Sequence, residues 1–316
     1  MTRRQQYSLE DVKRVLREPK LLRREIVRLQ KDIALKFNAY CSQLVNRKPR
    51  MDVMEEDWDN LIILDACRYD MYIQQANFGD RVTSKLSPGS ESWEFMQESF
   101  VGRECQDTVY VTANPHAFKL PDETFHAIVN LLSDDWNEKH RTVLPETMVQ
   151  RTLEVLDQYP DKRIISHFMQ PHFPFIGEKG KEVEHMGIET DQGGKPHPWN
   201  ALLYGMNVDR RQILDAYAEN LSVVLPHVFE LVQGLNGKTV ITADHGNLVG
   251  ERTFPIPIRA YGHPRNLHKR ELIQVPWVVN EATERRIVKS DSPIEYETLE
   301  EEVIKDRLSD LGYTGY

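Results

Sequence analysis

Charged and imidazole side chains lie at the ends of three predicted strands and in the segment that leads to a further strand. They are Asp65, Arg68 and Asp70 after "LIIL", His167 and His172 in "IISHFMQPHFPF", Asp244 and His245 in "TVITADHGN", and His263 in "AYGHPRNLHKRELIQVPW". Ligands of open α/β sheets gather beyond the carboxyl ends of the strands, so we expect these side chains to lie close together. Carboxylates with imidazoles suit Zn²⁺ or Mn²⁺, and carboxylates alone favour harder ions such as Ca²⁺ or Mg²⁺. The pattern therefore predicts one divalent-metal site.

Each part of this pattern also has a purely structural interpretation. Asp65 could cap a helix or pair with Arg68, and His167 could be a hydrogen-bonded core histidine. Asp244 and His245 are harder to explain in this way, because they end a strand, precede a glycine and have no helix to cap. Unpaired carboxylates at the end of a buried strand cost several kcal/mol, so we expect a cation beside Asp65 and Asp244.

Chemistry at such a metal requires a nucleophile, and "SKLSPGSESWEFMQESF" offers a serine. The helical pattern begins near Ser92, where a side chain meets free N–H groups and the positive end of the helix dipole. A hydroxyl held there beside a divalent ion has a lowered pKa and can attack phosphorus or sulfur. The alternative is that Ser92 is only the N-cap of its helix.

From Trp58 onward, strand-like apolar runs alternate with helical patterns, which predicts an α/β fold with a mostly parallel central sheet between helices. The predicted strands are Leu61–Leu64, Val109–Thr112, Arg163–Phe168, Lys238–Thr242 and Val275–Val279. The predicted helices are Glu91–Phe100, Leu144–Gln158, Arg211–Gly234 and a C-terminal helix ending at Gly312. The Gly- and Pro-rich stretch 177–205 lacks periodicity and is predicted to be a lid loop.

The N-terminal segment is basic and amphipathic. Residues 1–50 hold fourteen Lys or Arg and five Asp or Glu, whereas residues 51–316 hold 26 and 44. Helical spacing between Leu9 and Tyr40 predicts one helix, or two broken near Pro19, that packs on the domain or a second subunit, or contacts an anionic membrane. We therefore predict an arm over 1–50 and a catalytic domain over 51–316.

Composition narrows the classes of partner and compartment. The acidic body argues against nucleic acid as the main partner, because that binding rests on Lys and Arg at phosphates. No apolar run approaches the length of a membrane-spanning helix or a secretion signal, and the three cysteines show no CxxC spacing. We expect a cytoplasmic protein, in contact with the inner membrane face if the arm binds lipid, and a homo-oligomer if the arm binds a second subunit.

Four ordered blocks resemble the alkaline phosphatase and sulfatase superfamily. "LIILDACRYDMY" is similar to its opening strand and metal-binding aspartate in nucleotide phosphodiesterases and ethanolamine-phosphate transferases, and "HFMQPHFPF" is similar to a segment of sulfatases and lipoteichoic-acid synthases. "YAENLSVVLPHVFELVQGLNGKTVITADHGNLVGE" resembles the sulfatase helix and strand that end in "SDHGxxxGE". "YGHPRNLHKRELIQVPWVV" resembles the downstream His or Lys segment.

The resemblance implies a role for each matching residue. Asp65, Asp244 and His245 would bind one metal together with the nucleophile, which would be Ser92, with Ser90 as the fallback. His172 and His263 would bind the oxygens of the substrate or a second metal. The residues after Ser92 lack the Pro and Arg pattern of sulfatases, which disfavours sulfate-ester hydrolysis, and Phe168 stands where two-zinc members carry an aspartate.

These observations predict a metal-dependent phosphoester hydrolase or phosphotransferase. Ser92 would attack the phosphorus of a phosphate mono- or diester, on a lipid-linked or glycan substrate, and water or an acceptor alcohol would resolve the intermediate. His172, His263, Arg68 and Lys269 would stabilise the developing charge. The alternatives are a sulfatase-like sulfuric ester hydrolase and a catalytically silent member that binds anionic sugars or a partner protein.

Overall fold

The computed structural model describes residues 19–45, 49–76, 82–184, 197–294 and 301–311. Within these residues the main sheet contains β1 (Asn60–Leu64), β2 (Thr83–Leu86), β3 (Cys105–Thr112), β4 (Phe125–Asn130), β7 (Arg163–Phe168), β8 (Thr239–Thr242) and β11 (Gln274–Asn280). Two small hairpins pair β5 (Trp136–Asn137) with β6 (Thr142–Val143) and β9 (Leu248–Arg252) with β10 (Arg259–Gly262). The main sheet has the order β2-β11-β8-β1-β7-β3-β4.

The sheet is mostly parallel, which confirms the predicted fold class. Strands β8, β1, β7, β3 and β4 run in one direction, and β11 runs antiparallel to both β8 and β2 at one edge. All five predicted strands are present, with bounds that differ by a few residues at most. The strands that the sequence did not reveal are β2, β4 and the two hairpins. β2 reads "TSKL" and is half exposed, so it lacks the apolar run of a central strand.

Helices flank the sheet. They are α1 (Pro19–Val45), α2 (Tyr69–Gln75), α3 (Ser92–Phe100), α4 (Pro145–Gln158), α5 (Glu178–Glu184), α6 (Pro198–Leu203), α7 (Arg210–Gly234), α8 (Arg270–Ile273) and α9 (Glu301–Asp310). Helix α4 packs on β3 and β7, and α7 packs on α2, α4 and α5. The predicted helices α3, α4 and α7 are confirmed, and α9 ends two residues before the predicted Gly312, which lies outside the described residues.

Strand β1 is buried along its whole length. Its five residues read "NLIIL" and are at most 1% exposed, because β7 and β8 pair with it on both sides and helices cover the sheet. A strand in this position reads as a continuous apolar run. The charged residues that follow it therefore begin where the strand leaves the core, at Asp65.

Helix α1 packs on the domain, in agreement with the first interpretation of the basic segment. It buries Ala34, Leu35 and Ala39 against a small apolar cluster that includes Leu248 and Leu267. The part of the predicted helix before Pro19 lies outside the described residues. The division into an arm and a catalytic domain stays a prediction.

The stretch 177–205 contains more regular structure than the sequence predicted. Helices α5 and α6 lie within it, and residues 185–196 are outside the described part of the chain. Pro198 starts α6, a position where its missing N–H costs nothing, and Trp199 and Leu203 are buried. The prediction of one continuous loop is therefore wrong for these two helices, because tertiary burial stabilises short helices that lack a clear periodicity.

A tight contact at Gly89 sets the start of helix α3. A Cβ atom at Gly89 would lie 2.2 Å from the backbone N of Phe95, whereas one at Gly177 would lie 2.2 Å from the end of the Glu219 side chain. We expect Gly89→Ala to lower the free energy of unfolding by roughly 2–3 kcal/mol, because backbone cannot move aside. Gly177→Ala is the matched control and should change it by less than about 1 kcal/mol, because a side chain can. Urea unfolding of both variants tests this, and equal losses would contradict it.

Candidate metal centre and active site

Four adjacent parallel strands deliver polar side chains to one edge of the sheet. Asp244 follows β8, Asp65 follows β1, His167 lies near the end of β7, and Asn114 follows β3. The register pairs Ile63 of β1 with His167 and with Thr242 of β8, so the strands end at the same level. All four polar side chains are fully buried. The predicted convergence at the strand ends is what the structure shows.

Asp65, Asp244 and His245 form a compact group that could hold a metal ion. One ligand atom of each lies within 4.8 Å of the others, and all three residues are buried. The Nε2 atom of His245 lies 3.6 Å from Asp65 Oδ1 and 3.5 Å from Asp244 Oδ2. Two carboxylates and an imidazole around one point are a ligand set for a divalent cation.

The hydrogen bonds of the two carboxylates leave one oxygen of each aimed at this point. Asp65 Oδ2 accepts from Asn114 Nδ2 at 2.7 Å and from the Ser92 hydroxyl at 3.2 Å. Asp244 Oδ1 accepts from the backbone N–H of Ala66 and from its own neighbour, His245. Within the described part of the chain, Asp65 Oδ1 and Asp244 Oδ2 are buried and have no hydrogen-bond partner. Buried oxygens of this kind need a cation or a proton.

The imidazole of His245 presents a lone pair to the same point. Its Nδ1 atom lies 2.7 Å from the carbonyl oxygen of Gly246, which can only accept, so Nδ1 carries the proton. Nε2 is then the unprotonated nitrogen, which is the form that binds metals. A backbone carbonyl that fixes the tautomer in this way is the usual second layer of a metal-binding histidine.

Electrostatics within the group favour a cation. Burial raises the pKa of Asp65 well above its usual value, and the nearby charge of Asp244 raises it further. Burial also acts to raise the pKa of Asp244, but His245, His167 and the Ala66 N–H outweigh it, and the net shift is downward. Two ionised carboxylates in this buried position would therefore be stable only beside a positive charge. The residues present fit a divalent metal.

Ala66 links the two carboxylates through an unusual backbone conformation. Its φ of 57° lies in the left-handed region, which non-glycine residues seldom adopt. This geometry lets its N–H donate to Asp244 Oδ1 at 3.1 Å while its carbonyl accepts from the Tyr217 hydroxyl. Strained backbone of this kind is held by its surroundings and concentrates at functional sites.

Ser92 is the hydroxyl that lies at the metal group. Its Oγ is 3.2 Å from Asp65 Oδ2 and 3.2 Å from His245 Nε2, and the residue is buried. Ser92 is the first residue of α3, and the N-cap is Glu91, whose carboxylate accepts from the N–H groups of Trp93 and Glu94. Ser92 is therefore not the N-cap. The prediction that the Ser92 side chain meets free N–H groups is wrong for the N–H groups of Trp93 and Glu94, because the Glu91 carboxylate binds both of them.

Ser90, the fallback nucleophile, lies elsewhere. Its hydroxyl is 2.7 Å from Glu94 Oε2 and 3.1 Å from the carbonyl of Pro264. Glu94 also accepts from the N–H of Asn266 at 3.1 Å and contacts His268 Nε2 at 2.6 Å. The structure thus uses Ser90 and Glu94 to fasten the start of α3 to the segment 264–268, and brings Ser92, not Ser90, to the metal group.

Hydrogen bonds to Asp65 and Asn220 hold the segment around His172 beside the metal group. Its backbone N–H donates to the carbonyl of Asp65 at 3.1 Å. The amide nitrogen of Asn220, on α7, donates to the carbonyls of His172, Pro171 and Pro174 at 2.9–3.2 Å. The Nδ1 atom of His172 lies 2.5 Å from the carbonyl of Phe173, so Nδ1 carries the proton and Nε2 is the acceptor. Burial lowers the pKa of His172 to about 4, so the ring is neutral at pH 7.

His263 joins the same cluster of rings. Its ring centre is 4.7 Å from that of His245 and 5.0 Å from that of His172. Assigned by its hydrogen bonds, the Asn247 amide donates to the Gly262 carbonyl at 3.1 Å and accepts from an indole N–H at 3.2 Å. The amide nitrogen then faces His263 Nδ1 at 3.4 Å, which makes Nε2 the protonated nitrogen of His263. Burial holds the pKa of His263 well below its usual value.

Arg68 and Lys269, predicted to stabilise charge on the substrate, are occupied by other partners. Arg68 forms ion pairs with Asp70 and Glu251, at 2.5 and 2.7 Å, and donates to the Asn247 carbonyl. Lys269 pairs with Glu271 at 2.8 Å, in contact with solvent. The structure brings neither side chain to the metal group. Local charges explain the difference, since acidic residues two positions away in the chain satisfy both cations.

Several residues at the site were not predicted. Asn114 carries the same signal as the aspartates, a polar residue just after a strand, and could have been found from its position after Val109–Thr112. Glu94, Asn220 and Asn247 act through contacts with chain segments distant in sequence. His197, whose ring lies 6.0 Å from that of His172, comes from the stretch predicted as a loop. Nothing in the local pattern of these four marks their role.

Comparison with solved structures returns similar folds at low identity. The C-terminal periplasmic domain of EcEptC from Escherichia coli, in complex with Zn, matches with 16% identity over 71% of this chain and 72% of that one, at a TM-score of 0.45. The soluble domain of lipooligosaccharide phosphoethanolamine transferase A from Neisseria meningitidis matches with 13% identity, coverages of 71% and 76%, and a TM-score of 0.44. The lipoteichoic acid synthase LtaP from Listeria monocytogenes matches with 11% identity, coverages of 81% and 72%, and a TM-score of 0.42.

Two of them, a phosphoethanolamine transferase and a lipoteichoic acid synthase, are kinds of protein that the sequence blocks resemble. No protein-family model matches the chain, and no curated protein matches it. With identities and TM-scores this low, the argument for function rests on the geometry of the site.

The cytoplasmic, inner-face location expected from the sequence is contradicted by these findings. The EptC structures that match are C-terminal periplasmic domains, from Escherichia coli and from Campylobacter jejuni. The expectation rested on the lack of an apolar run of the length of a secretion signal and on three cysteines without CxxC spacing. The cysteines do not separate one compartment from another, because unpaired cysteines occur in both.

The carboxylate of Glu94 should make stability depend on pH. Burial acts to raise its pKa, but the hydrogen bonds from His268 and Ser90 outweigh it and lower the pKa from 4.5 to about 2. Ionised Glu94 thus stabilises the fold above pH 4.5, and this contribution, about 3 kcal/mol, is lost as the pH falls toward 2. We expect Glu94→Gln to lower Tm at pH 7 and the difference from wild type to shrink in acid.

Thermal unfolding between pH 2 and pH 7 measures this effect. Glu98→Gln, a change to an exposed carboxylate on the same helix, is the matched control and should leave Tm within about 1 °C of wild type. A Tm deficit of Glu94→Gln that stays constant across this range would contradict the assignment.

Proposed function

We propose that this chain is a metal-dependent phosphoester hydrolase or phosphotransferase that uses Ser92 as its nucleophile. The observation that carries the proposal is the position of the Ser92 hydroxyl, 3.2 Å from both Asp65 Oδ2 and His245 Nε2. A buried hydroxyl in contact with two members of a metal-binding group is the arrangement expected of an activated nucleophile. The same contacts are unnecessary for capping α3, since Glu91 does that.

Asp65, Asp244 and His245 would hold the metal, with Zn²⁺ or Mn²⁺ as the preferred ion. When bound, a divalent cation at this group would lower the pKa of a nearby hydroxyl and polarise a phosphoryl oxygen. Its charge would also compensate the two buried oxygens that lack a hydrogen-bond partner among the described residues, Asp65 Oδ1 and Asp244 Oδ2. We propose one such site and no complete second one.

The side chains around the metal group would orient the nucleophile, bind the phosphoryl oxygens and accept a proton. The Ser92 hydroxyl is oriented by Asp65 Oδ2, which Asn114 in turn holds in place. His263, with its proton on Nε2, can donate to a phosphoryl oxygen, as the resemblance implies. His172 has the opposite tautomer, so its Nε2 can take a proton from water or from an acceptor alcohol when the phosphoserine intermediate is resolved.

The substrate class we propose is a phosphate mono- or diester, on a lipid-linked or glycan molecule. Its support is the basic helix α1, which contacts α6 through Lys31 and the carbonyl of Leu203. Helix α6 begins one residue after His197, whose ring belongs to the cluster of imidazole rings. A basic element beside the site suits an anionic substrate.

Substitution of the nucleophile tests the proposal. Ser92→Ala should lower kcat for an aryl phosphodiester, assayed with Zn²⁺ or Mn²⁺, by at least about 10³-fold, because the Ser92 hydroxyl is the one that contacts the side chains of Asp65 and His245. Ser90→Ala is the matched control and should retain turnover, since the Ser90 hydroxyl binds Glu94. Loss of activity in Ser90→Ala alone would overturn the assignment of Ser92.

The same assay separates the alternative functions. Aryl sulfate esters measured beside aryl phosphate esters should turn over more slowly, and a preference for sulfate would favour a sulfatase-like enzyme instead. Wild-type protein without esterase activity with any divalent metal would favour a silent, ligand-binding member of the superfamily.

The metal group can also be tested without an activity assay. Asp65→Asn should raise Tm in EDTA by roughly 2–4 °C, because it removes a buried charge whose pKa is shifted strongly upward. It should also abolish the rise in Tm that Zn²⁺ or Mn²⁺ produces in wild type, since binding to the folded state stabilises it.

Asp59→Asn is the control for this experiment. Asp59 is also buried but pairs with Arg285 at 2.5 Å, and it precedes β1, at the end of that strand opposite Asp65. Its substitution should lower Tm and leave the metal-induced rise intact. A wild-type protein whose Tm does not respond to either metal, or an Asp65→Asn protein that responds as wild type does, would contradict the metal centre.

A further inference from the structure

Helix α1 exposes a continuous apolar stripe. The stripe consists of Ile26, Leu29, Ile33, Phe37, Tyr40 and Leu44, each 47–60% exposed. The spacing of three, four and four residues repeats, which keeps the stripe on one line along the helix. Over the length of the stripe this makes an apolar edge of roughly 27 Å. Exposed apolar surface of this extent marks an interaction site.

The stripe is not the side by which α1 packs on the domain. Asn38, on the opposite side, is fully buried and donates to Thr253 Oγ1 at 2.7 Å and to the Ile256 carbonyl at 2.8 Å. Its own side-chain oxygen accepts from the Ile256 N–H at 2.8 Å. Because these contacts fix the rotation of the helix about its axis, the stripe is presented outward.

A further exposed aromatic residue lies outside the stripe. The loop 253–258, which binds Asn38, carries Phe254 with 83% of its surface exposed. Because Asn38 lies on the side of α1 opposite the stripe, this loop packs against the other side of the helix, and Phe254 is therefore a suitable control for the stripe.

The charge of α1 decides which partner fits this surface. Residues 19–45 contain six Lys or Arg and two Asp or Glu, whereas residues 51–316 are strongly acidic. A second copy that docked through the same stripe would bring two basic helices together. Anionic phospholipid complements both the apolar stripe and the flanking cations. No helix among the described residues is long and apolar enough to cross a membrane, so the contact would run along the surface.

We propose that the stripe of α1 is a docking surface for a membrane that contains anionic phospholipid. The surface is connected to elements around the site. The Lys31 ammonium binds the carbonyl of Leu203 in α6, and the Ser42 hydroxyl accepts from the N–H of His268 at 2.9 Å. Docking therefore holds the site at a fixed position relative to the lipid surface. This inference does not depend on the proposed chemistry.

Vesicle binding of the full-length chain tests the apolar part of the surface. The probe is a vesicle of phosphatidylcholine with about one third phosphatidylglycerol, and binding is measured by cosedimentation. Phe37→Ser and Leu29→Ser should each weaken binding roughly tenfold, since each removes an apolar side chain that would be buried in lipid, whereas Phe254→Ser should not weaken it. Phe229→Ser and Ile287→Ser, which alter exposed apolar residues on other elements, are the matched controls and should bind as wild type does.

The charged part of the surface is tested in the same assay. Arg23→Gln and Lys36→Gln, changes to exposed cations of α1, should each weaken binding by roughly fivefold. Added salt should weaken wild-type binding, and vesicles of phosphatidylcholine alone should bind far less. Unchanged turnover of a small soluble diester and an unchanged far-UV spectrum would show that the variants are folded.

Two results would overturn the proposal. One is vesicle binding by Phe37→Ser and Leu29→Ser that equals that of wild type and of the controls. The other is a concentration-dependent dimer of the wild type, seen by sedimentation, that these two substitutions abolish while the protein ignores vesicles. That second result would assign the stripe to a second copy of the chain.

Discussion

Two carboxylates that face each other without access to water are the constraint around which this structure is arranged. Asp65 and Asp244 are fully buried, and each keeps one oxygen without a hydrogen-bond partner in the described part of the chain. Their other oxygens are saturated by fixed donors, including the Ala66 N–H and the Asn114 amide. Such an arrangement is costly as a mere element of the core, because replacement by apolar residues would remove the repulsion. The cost disappears if a cation binds between the two carboxylates and compensates their charge.

The sheet explains why so much of this centre was visible in the sequence. Parallel strands that are covered on both faces are continuous apolar runs, and their ends lie at one edge. A charged residue that ends such a run, as Asp65 and Asp244 do, can therefore be assigned to this edge of the sheet from the sequence alone. The fold class, the five predicted strands and the convergence of their ends followed from this rule. The rule did not reveal the short edge strand β2, because its residues are partly exposed and do not form an apolar run.

The fine structure of the site could not be inferred in the same way, because it depends on which partners meet across long stretches of chain. Arg68 was predicted to contact the substrate, but it pairs with Asp70, which is near in sequence, and also with Glu251, which is distant in sequence. Ser90 and Ser92 were indistinguishable by residue type. What separates them is that Glu94 accepts the hydroxyl of Ser90, while Asp65 accepts that of Ser92. Likewise, the tautomers of His172 and His263 follow from backbone and amide neighbours that no local pattern specifies.

Adjacent residues in the middle of α7 serve two different parts of the molecule. Asn220 holds three carbonyl groups around His172, and Glu219 accepts the backbone N–H of Lys179 at the start of α5, in the stretch predicted to cover the site. A single turn of helix thus anchors both the imidazole beside the metal group and the start of α5. A substitution that shifted this turn would therefore move both at once, so neither contact can change independently of the other.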